Sequence, residues 1–512
     1  MDAIQLSIFS SRISAVCDEM GAVLRHAAFS PNIKDRLDYS CAVFDPQGQL
    51  CAQAAHIPVH LGSMAYAMAD LVADRTWSDG DMVVLNDPFQ GGTHLPDITL
   101  LAPVFVDAQC VAFVANRAHH ADIGADSPGS MPVGSRLEQE GLIIPPTLLV
   151  RAERLQSETL EHIVAVTHNR VVTEGDFSAQ ISANRTGVRR IRELLAGLGR
   201  DAWLEGLKRL NDYGECMARA TLESLPDGEY RFEDVMDDDG RGNSDISLRV
   251  CVTVAGGRVD VDFTGTAGQV EGNINCPLSV AAAAVFYVFR CLMDARTPAC
   301  AGSFRLIHIN APDACLVNAR RPAAVAAGNV ETSSRIVDLV LGALARAVPE
   351  RVAAASQGTM NNLAMGARSA RGGWDYYETI AGGMGAHVRG NGLDAVQTHM
   401  TNTLNTPIEV LESNYPLRIR RYCVRRGSGG DGRSKGGDGL SREYEFLAPA
   451  QVTLLSERRR QRPWGLLGGT AGLPGENRLN GRVLPAKISL HVGGGDRLLV
   501  DTPGGGGYLA PE

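Results

Sequence analysis

The sequence predicts a mixed α/β (α+β) protein built from several interleaved domains, and three features lead to that class. Segments with helical apolar spacing and segments with strand-like alternation both occur along the chain. Its 512 residues exceed one typical domain and suggest about three. No internal repeat or long linker separates the parts, so the domains interleave instead of following one another like beads.

Ile4, Ile8, Ile13, Val16, Met20, Val23, Leu24 and Ala27 recur near the helical period. They predict an opening amphipathic helix over residues 3–29, stopped by Ser30-Pro31-Asn32. Residues 39–44 read as a strand, with Asp45-Pro46-Gln47-Gly48 turning into a second. Further strands are expected at 81–85, 99–106 and 110–116. Two polar segments between them, 86–97 and 116–124, are punctuated by Gly and Pro and read as loops, where chemistry usually sits. Residues 150–225 carry good helix formers, and Pro226-Asp227-Gly228 closes them. Residues 229–265 alternate apolar and polar, whereas 277–294 and 334–347 read as buried helices. From 356 onward glycine accumulates. The expected regions are therefore 1–150 (metal-binding α/β), 151–228 (helical), 229–355 (β-rich with buried helices) and 356–512 (Gly-rich), all within one unit.

Composition excludes several classes. Hydrophobic residues at 44% and charged residues at 21% are ordinary for a soluble globular chain. A formal charge of −9 argues against nucleic acid, whose phosphates call for a basic surface. The start at Met1-Asp2-Ala3 shows no basic-then-apolar signal, and the apolar run 280–289 is too short to cross a bilayer. A soluble, cytoplasmic protein is expected. The eleven cysteines contain no CxxC, so reduced and mostly buried thiols fit best. A chain this long needs no metal to stay folded, so a bound metal would serve chemistry.

The most specific local signal is His94-Leu95-Pro96-Asp97 followed by His119-His120-Ala121-Asp122. Imidazole nitrogen and carboxylate oxygen together suit Zn, Mn or Fe. A His and an Asp three apart on a tight loop can converge on one ion, and a third ligand from the next strand end would leave an open, catalytic-type site. The same spacing also fits polar loop residues that satisfy backbone groups. Asp38, just before a strand, has the place of a turn or cap residue. His56 and His60 are four apart, but the surrounding prolines and β-branched residues argue against a helix. They are candidates for a pocket or supporting role, or for structural histidines.

The glycine-rich stretches 427–439 and 502–508 contain no GxxxxGK[ST], and GxSxG is absent from the chain. Glycine for tight turns and close backbone packing is the favoured reading. Two basic runs remain, Arg418/Arg420/Arg421/Arg425/Arg426 and Arg458-Arg459-Arg460-Gln461-Arg462. Such runs are usually solvated faces. A docking surface for an acidic partner subunit is the sharper alternative.

Several blocks resemble the B subunit of the hydantoinase/oxoprolinase family. They include Ser30-Pro31-Asn32-Ile33-Lys34, His56-Ile57-Pro58-Val59-His60-Leu61-Gly62, Asn86-Asp87-Pro88-Phe89, Gly91-Gly92-Thr93-His94-Leu95-Pro96-Asp97 and Ala118-His119-His120-Ala121-Asp122. They continue with Pro128-Gly129-Ser130-Met131-Pro132, Gly328-Asn329-Val330-Glu331-Thr332-Ser333, His399-Met400-Thr401-Asn402-Thr403, Pro407-Ile408-Glu409 and the closing 503–508. The pattern departs slightly at Ala125 and Leu509, where glycine is usual.

The resemblance implies a hydantoinase B-like fold and one divalent transition metal on Asp38, His94, Asp97 and His119. His120 and Asp122 become neighbours that orient a ligand or take a proton. It also implies an A-type partner that binds ATP and Mg, in a hetero-oligomer such as A2B2. The partner would phosphorylate a cyclic amide (hydantoin, 5-oxoproline or a lactam), and this chain would hydrolyse the activated species. An ATP-dependent ketone carboxylase of the acetone or acetophenone type is the alternative within the family. A non-catalytic partner that has lost its metal is the alternative outside it.

Overall fold

The computed structural model describes residues 1–54, 57–368 and 373–511. Its first layer is a seven-stranded sheet of β1 (Tyr39–Phe44), β2 (Leu50–Gln53), β3 (Met82–Leu85), β4 (Asp97–Val106), β5 (Gln109–His119), β6 (Thr147–Arg151) and β7 (Arg154–Leu155). The order is β2-β1-β5-β4-β3-β6-β7, with every pairing antiparallel. β4 and β5 extend into both segments expected as loops, so Asp97 and His119 stand on strands.

Both faces of this sheet are covered, which is why its central strands read as apolar runs instead of clean alternation. On one face Cys41, Val43, Ile98, Leu100, Ala112 and Val114 meet the helices α1 (Ala3–Ala27) and α5 (Arg170–Leu198). α1 starts at a capping box on Asp2 and buries Phe9, Ile13, Val16, Met20 and Leu24 on one stripe, as its spacing predicts. Between these two helices in sequence come the short α2 (Pro31–Lys34), α3 (Pro58–Ala73) and α4 (Ser157–Val164). The other face carries Ala42, Phe44, Leu101, Phe113 and Ala115 against Met64 and Met68 of α3. The helical stretch that follows belongs to this layer: α5 reaches the Ile98 and Leu100 carbonyls with Gln180 and Asn184. Trp203 of α6 (Arg200–Leu222) donates to the carbonyl of Val111.

A second sheet holds β8 (Gly228–Asp238), β9 (Ser244–Ala255), β10 (Arg258–Asp262) and β11 (Ile307–Asn310), with only β10 and β11 parallel. The buried helices α7 (Leu278–Leu292) and α8 (Ser333–Leu344) join it to the first layer. α7 lies so close to α3 that a β-carbon at Gly62 would stand 2.5 Å from the Cα of Ala283. A π-helical turn, Gly328–Thr332, leads into α8.

Two more sheets follow in the glycine-rich region. One orders Trp374–Glu378, Asn362–Ala367, Ala450–Leu455 and Lys487–Val492; the other orders Leu417–Arg425, Gly439–Phe446, Arg497–Asp501, Glu476–Leu479 and Arg482–Val483. Beside them, glycine stretches stack backbone on backbone. A β-carbon at Gly383 would stand 2.0 Å from the carbonyl oxygen of Gly437.

The basic runs divide. Arg418, Arg420 and Arg421 lie exposed on the strand Leu417–Arg425. The second run is split: Arg460 and Arg462 stay exposed, whereas Arg458 turns inward and is buried, with Nη2 2.9 Å from both Asp234 and Asp338. Buried carboxylates draw it in. All eleven cysteines are free, six of them buried (17, 41, 51, 276, 300 and 315). Among the described residues no helix is long and apolar enough to cross a membrane.

Candidate metal centre

Strand register assembles the centre. Asp97 of β4 is paired with His119 of β5. On the other side of β5, Tyr39 pairs with Ala118, and the His119 amide donates to the Asp38 carbonyl at 3.0 Å. Asp38, His119 and Asp97 therefore form one row across three adjacent strands. Side chains in such a row project from the same face, here the face covered by α3. His94 arrives from the tight turn before β4, where the Asp97 amide donates to the His94 carbonyl.

The result is a fully buried cluster. His94 Nε2 and His119 Nδ1 each lie 3.2 Å from Asp97 Oδ1. One potential ligand atom from each of the three residues lies within 4.8 Å of the others. His94 Nε2, Asp97 Oδ1 and His119 Nε2 are buried without a hydrogen-bond partner. Buried polar atoms rarely stay unpartnered. Three around one cavity are what a cation would satisfy, and two imidazoles with a carboxylate suit Zn, Mn or Fe. The cavity they line measures about 20 Å³, room for about one ion or water.

Electrostatics agree with a cation-seeking site. Burial pushes the Asp97 carboxyl upward, but the imidazoles of His94, His60 and His119 around it overcome this and hold it well below the usual range. Burial likewise opposes charge on His94, and Asp97 beside it holds that pKa above its ordinary value. In His119 burial wins and the pKa falls.

Neighbouring groups fix the ligands. Asp97 Oδ2 accepts from Thr93 Oγ1 at 2.5 Å and from Asn329 Nδ2 at 3.4 Å. The Tyr377 ring stacks on His119 at 4.7 Å, and its hydroxyl donates to Asn362. Arg117, one row further in, bonds Thr99 of β4, Ser63 of α3 and the Gly91 carbonyl, pinning the His94 segment to the sheet and to α3.

The structure brings together His94, Asp97 and His119 as the spacing suggested. Asp38 lines the same cavity but stands outside the tight cluster, with its carboxylate 3.9 Å from His60 Nε2. His60 corrects the expectation of a non-helical segment. Pro58 occupies the first turn of α3, where proline starts helices instead of breaking them. His60 Nε2 thereby reaches 3.2 Å from Asp97 Oδ2. His56 lies outside the described residues.

His120 and Asp122 are not brought to the cavity. Alternation along the extended chain sends His120 to the opposite face from His119, where Nε2 meets Gln180 Oε1 at 2.9 Å and the ring meets Phe177. Asp122 accepts from the His168 backbone and ring and from the Gly124 amide. Sequence reasoning alone does not single out Tyr377, Thr93 or Asn329. Only Asn329 and Thr93 fall within motif blocks, and Tyr377 comes from a strand some 260 residues away with no local signal.

The molecule is thus a mixed α/β protein with a buried His–Asp–His cluster that could hold a metal ion. The chain belongs to the Hydantoinase B/oxoprolinase family, whose model matches residues 2–511. It is similar to 5-oxoprolinase 1 of Arabidopsis thaliana, with 39% identity over 99% of this chain and 42% of that protein. It is similar to the B subunit of a putative D-/L-hydantoinase from a Pseudomonas species, with 31% identity over all of this chain and 90% of that protein. Its fold matches the ATP-dependent caprolactamase of Pseudomonas jessenii with a TM-score of 0.93 and 27% identity, over 100% of this chain and 92% of the other. The chain therefore spans about two fifths of the plant 5-oxoprolinase but nearly all of the hydantoinase polypeptide.

Proposed function

We propose that this chain is the metal-dependent B subunit of an ATP-dependent cyclic-amide hydrolase. The observation that carries the proposal is the convergence of buried ligand atoms from His94, Asp97 and His119 on one cavity, each residue keeping a buried polar atom without a hydrogen-bond partner. The names of the similar hydantoinase and caprolactamase support the substrate class. The absence of a GxxxxGK[ST] motif supports a division of labour in which an A-type partner binds ATP and Mg, in an assembly such as A2B2.

Resonance makes an amide a poor electrophile. Phosphoryl transfer from ATP to its oxygen, by the partner, turns the carbon into a better one. One water adds to that carbon, and expulsion of the ring nitrogen leaves an acyl phosphate and an amine. A second water releases inorganic phosphate and the carboxylate. His94, Asp97 and His119 would hold a divalent ion, which would supply Lewis acidity and bring the pKa of water toward neutrality. Thr93 and Asn329 fix the Asp97 carboxylate, and the Tyr377 ring fixes the plane of His119. Ile57, Val59, Val330, Met360 and Met400 line the cavity and exclude bulk water. With His120 and Asp122 turned away, the His60–Asp38 pair is the proton acceptor in this reading.

The test is to co-purify the chain with its ATP-binding partner and supply ATP with hydantoin, 5-oxoproline or ε-caprolactam. Ring opening coupled to ADP formation is expected, with no ATP turnover by this chain alone. His94→Ala should lower ring opening more than about 100-fold, beyond the loss typical of groups that only support a ligand. ATP-dependent incorporation of labelled bicarbonate into a ketone, without ring opening, would replace the hydrolase assignment by a carboxylase. Full activity in His94→Ala would make the chain a non-catalytic partner.

A further inference from the structure

A cleft of about 710 Å³ opens beside the metal cavity. Thr401 lines both, and consecutive residues divide between them: Pro58 and His399 face the cleft, Val59 and Met400 the cavity. The segment around residue 400 is thus a common wall. His399 holds that wall in place. Its backbone sits at φ +59, and its Nε2 lies 3.1 Å from Oδ1 of the buried Asp338.

The chemistry of the cleft is divided. Phe286, Leu341 and Val352 contribute apolar surface, and Arg290, Arg351 and Arg389 contribute cations. Glu350 is the one acid along the described lining. None of the three arginines has an ion-pair partner among the described residues. Arg290 donates to the carbonyls of Asp294 and Ala295, and Arg351 to the Ser224 hydroxyl and the Leu292 carbonyl. Guanidinium groups recognise phosphate and carboxylate oxygens with strong charge-assisted bonds. Three of them against one carboxylate, in a hollow lined by apolar residues together with neutral polar ones such as Gln397 and Asn402, favour an anion with a carbon skeleton.

We propose that this cleft binds a small phosphorylated organic molecule, its oxyanion on the arginines and its carbon skeleton on Phe286, Leu341 and Val352. The proposal deepens the function above and rests on it for the identity of the natural ligand, an O-phosphorylated amide or acyl phosphate presented next to the metal cavity.

Phenyl phosphate is a stable probe for this chemistry. Calorimetric titration into the full chain should show saturable binding at least about fivefold tighter than inorganic phosphate, because the ring buries apolar surface. Arg351→Met and Arg389→Met should each weaken phenyl phosphate by about tenfold, the loss of a charge-assisted bond. Arg389 is exposed, and its side chain has no partner to lose among the described residues, so that variant keeps the fold. Binding should persist in His94→Ala, which separates the cleft from direct contact with a metal. Equal affinity for phenyl phosphate and inorganic phosphate, or unchanged affinity in both arginine variants, would overturn the proposal. Metal content and ring opening, read on the same preparations, keep the two claims apart. Arginine-dependent binding in a chain without metal would sink the hydrolase and leave the cleft, and the reverse would sink the cleft alone.

Discussion

Asp97 is the residue on which the centre turns. Its Oδ1 stands between His94 and His119, and its Oδ2 takes bonds from Thr93 and Asn329 and lies 3.2 Å from His60 Nε2. The His94/Asp97/His119 triplet is legible because three ligand-type residues fall close in sequence. His60 is hidden because Pro58 has the look of a helix breaker and acts as a helix start. Tyr377 leaves no local trace at all. A second buried acid adds a prediction at this scale. Burial pushes the Glu331 carboxyl up to about 7, while it accepts from the Met360 amide and the Asn362 side chain. Between the ordinary glutamate value of 4.5 and about 7, the unfolded chain has lost this proton and the folded chain still holds it. The unfolded state then binds fewer protons, so this group lowers stability as pH rises through that window, and its effect levels off above it. The melting temperature of the wild type should therefore fall relative to Glu331→Gln as pH is raised from about 5 to about 7. Parallel profiles would contradict the assignment.

At the scale of elements, the β4–β5 ladder does the positioning, and its alternation separates neighbours that sequence grouped together. His119→Ala should lower metal affinity more than about 100-fold. His120→Ala should keep one metal per chain and lose about 1–3 kcal/mol of stability, because Gln180 Oε1 is left without its partner. Metal analysis and chemical denaturation of the two variants check this, and equal metal loss in both would show the alternation to be wrong. β1 is legible from end to end, and so are the apolar centres of β4 and β5, but the ends of β4 and β5 that reach the site are not. Asp97, Arg117 and His119 are polar because they serve the site, and Asn116 because it bonds α5, so these strand ends read as loop. The two C-terminal sheets escape a sequence reading because glycine dominates the segments between their strands, although strands such as Lys487–Val492 and Arg497–Asp501 hold no glycine. Close packing there is testable by contrast. Gly383→Ala should cost about 3 kcal/mol, as the added carbon meets backbone that cannot move aside. Gly493→Ala, whose nearest neighbour would be 3.7 Å away, should change stability by less than about 0.5 kcal/mol.

For the whole molecule, two of the four sheets, α3 and the π-helical turn before α8 converge on one small cavity, with segments from residues 38, 60, 94, 119, 329, 377 and 400 in its wall. Interleaving of the chain is legible from the lack of linkers, whereas the pairing of distant segments is not, because sheet order depends on long-range contacts. The same convergence explains how a site with room for about one ion sits beside a far larger cleft, separated by the segment around residue 400. The central claim is that this cavity holds a catalytic metal. Elemental analysis of the purified chain, wild type against Asp97→Ala, tests it most directly. One tightly bound divalent transition metal per wild-type chain, falling to near zero in the variant, is the expected result. A metal-replete wild-type preparation that retains none, or a variant that retains as much as the wild type, would contradict it.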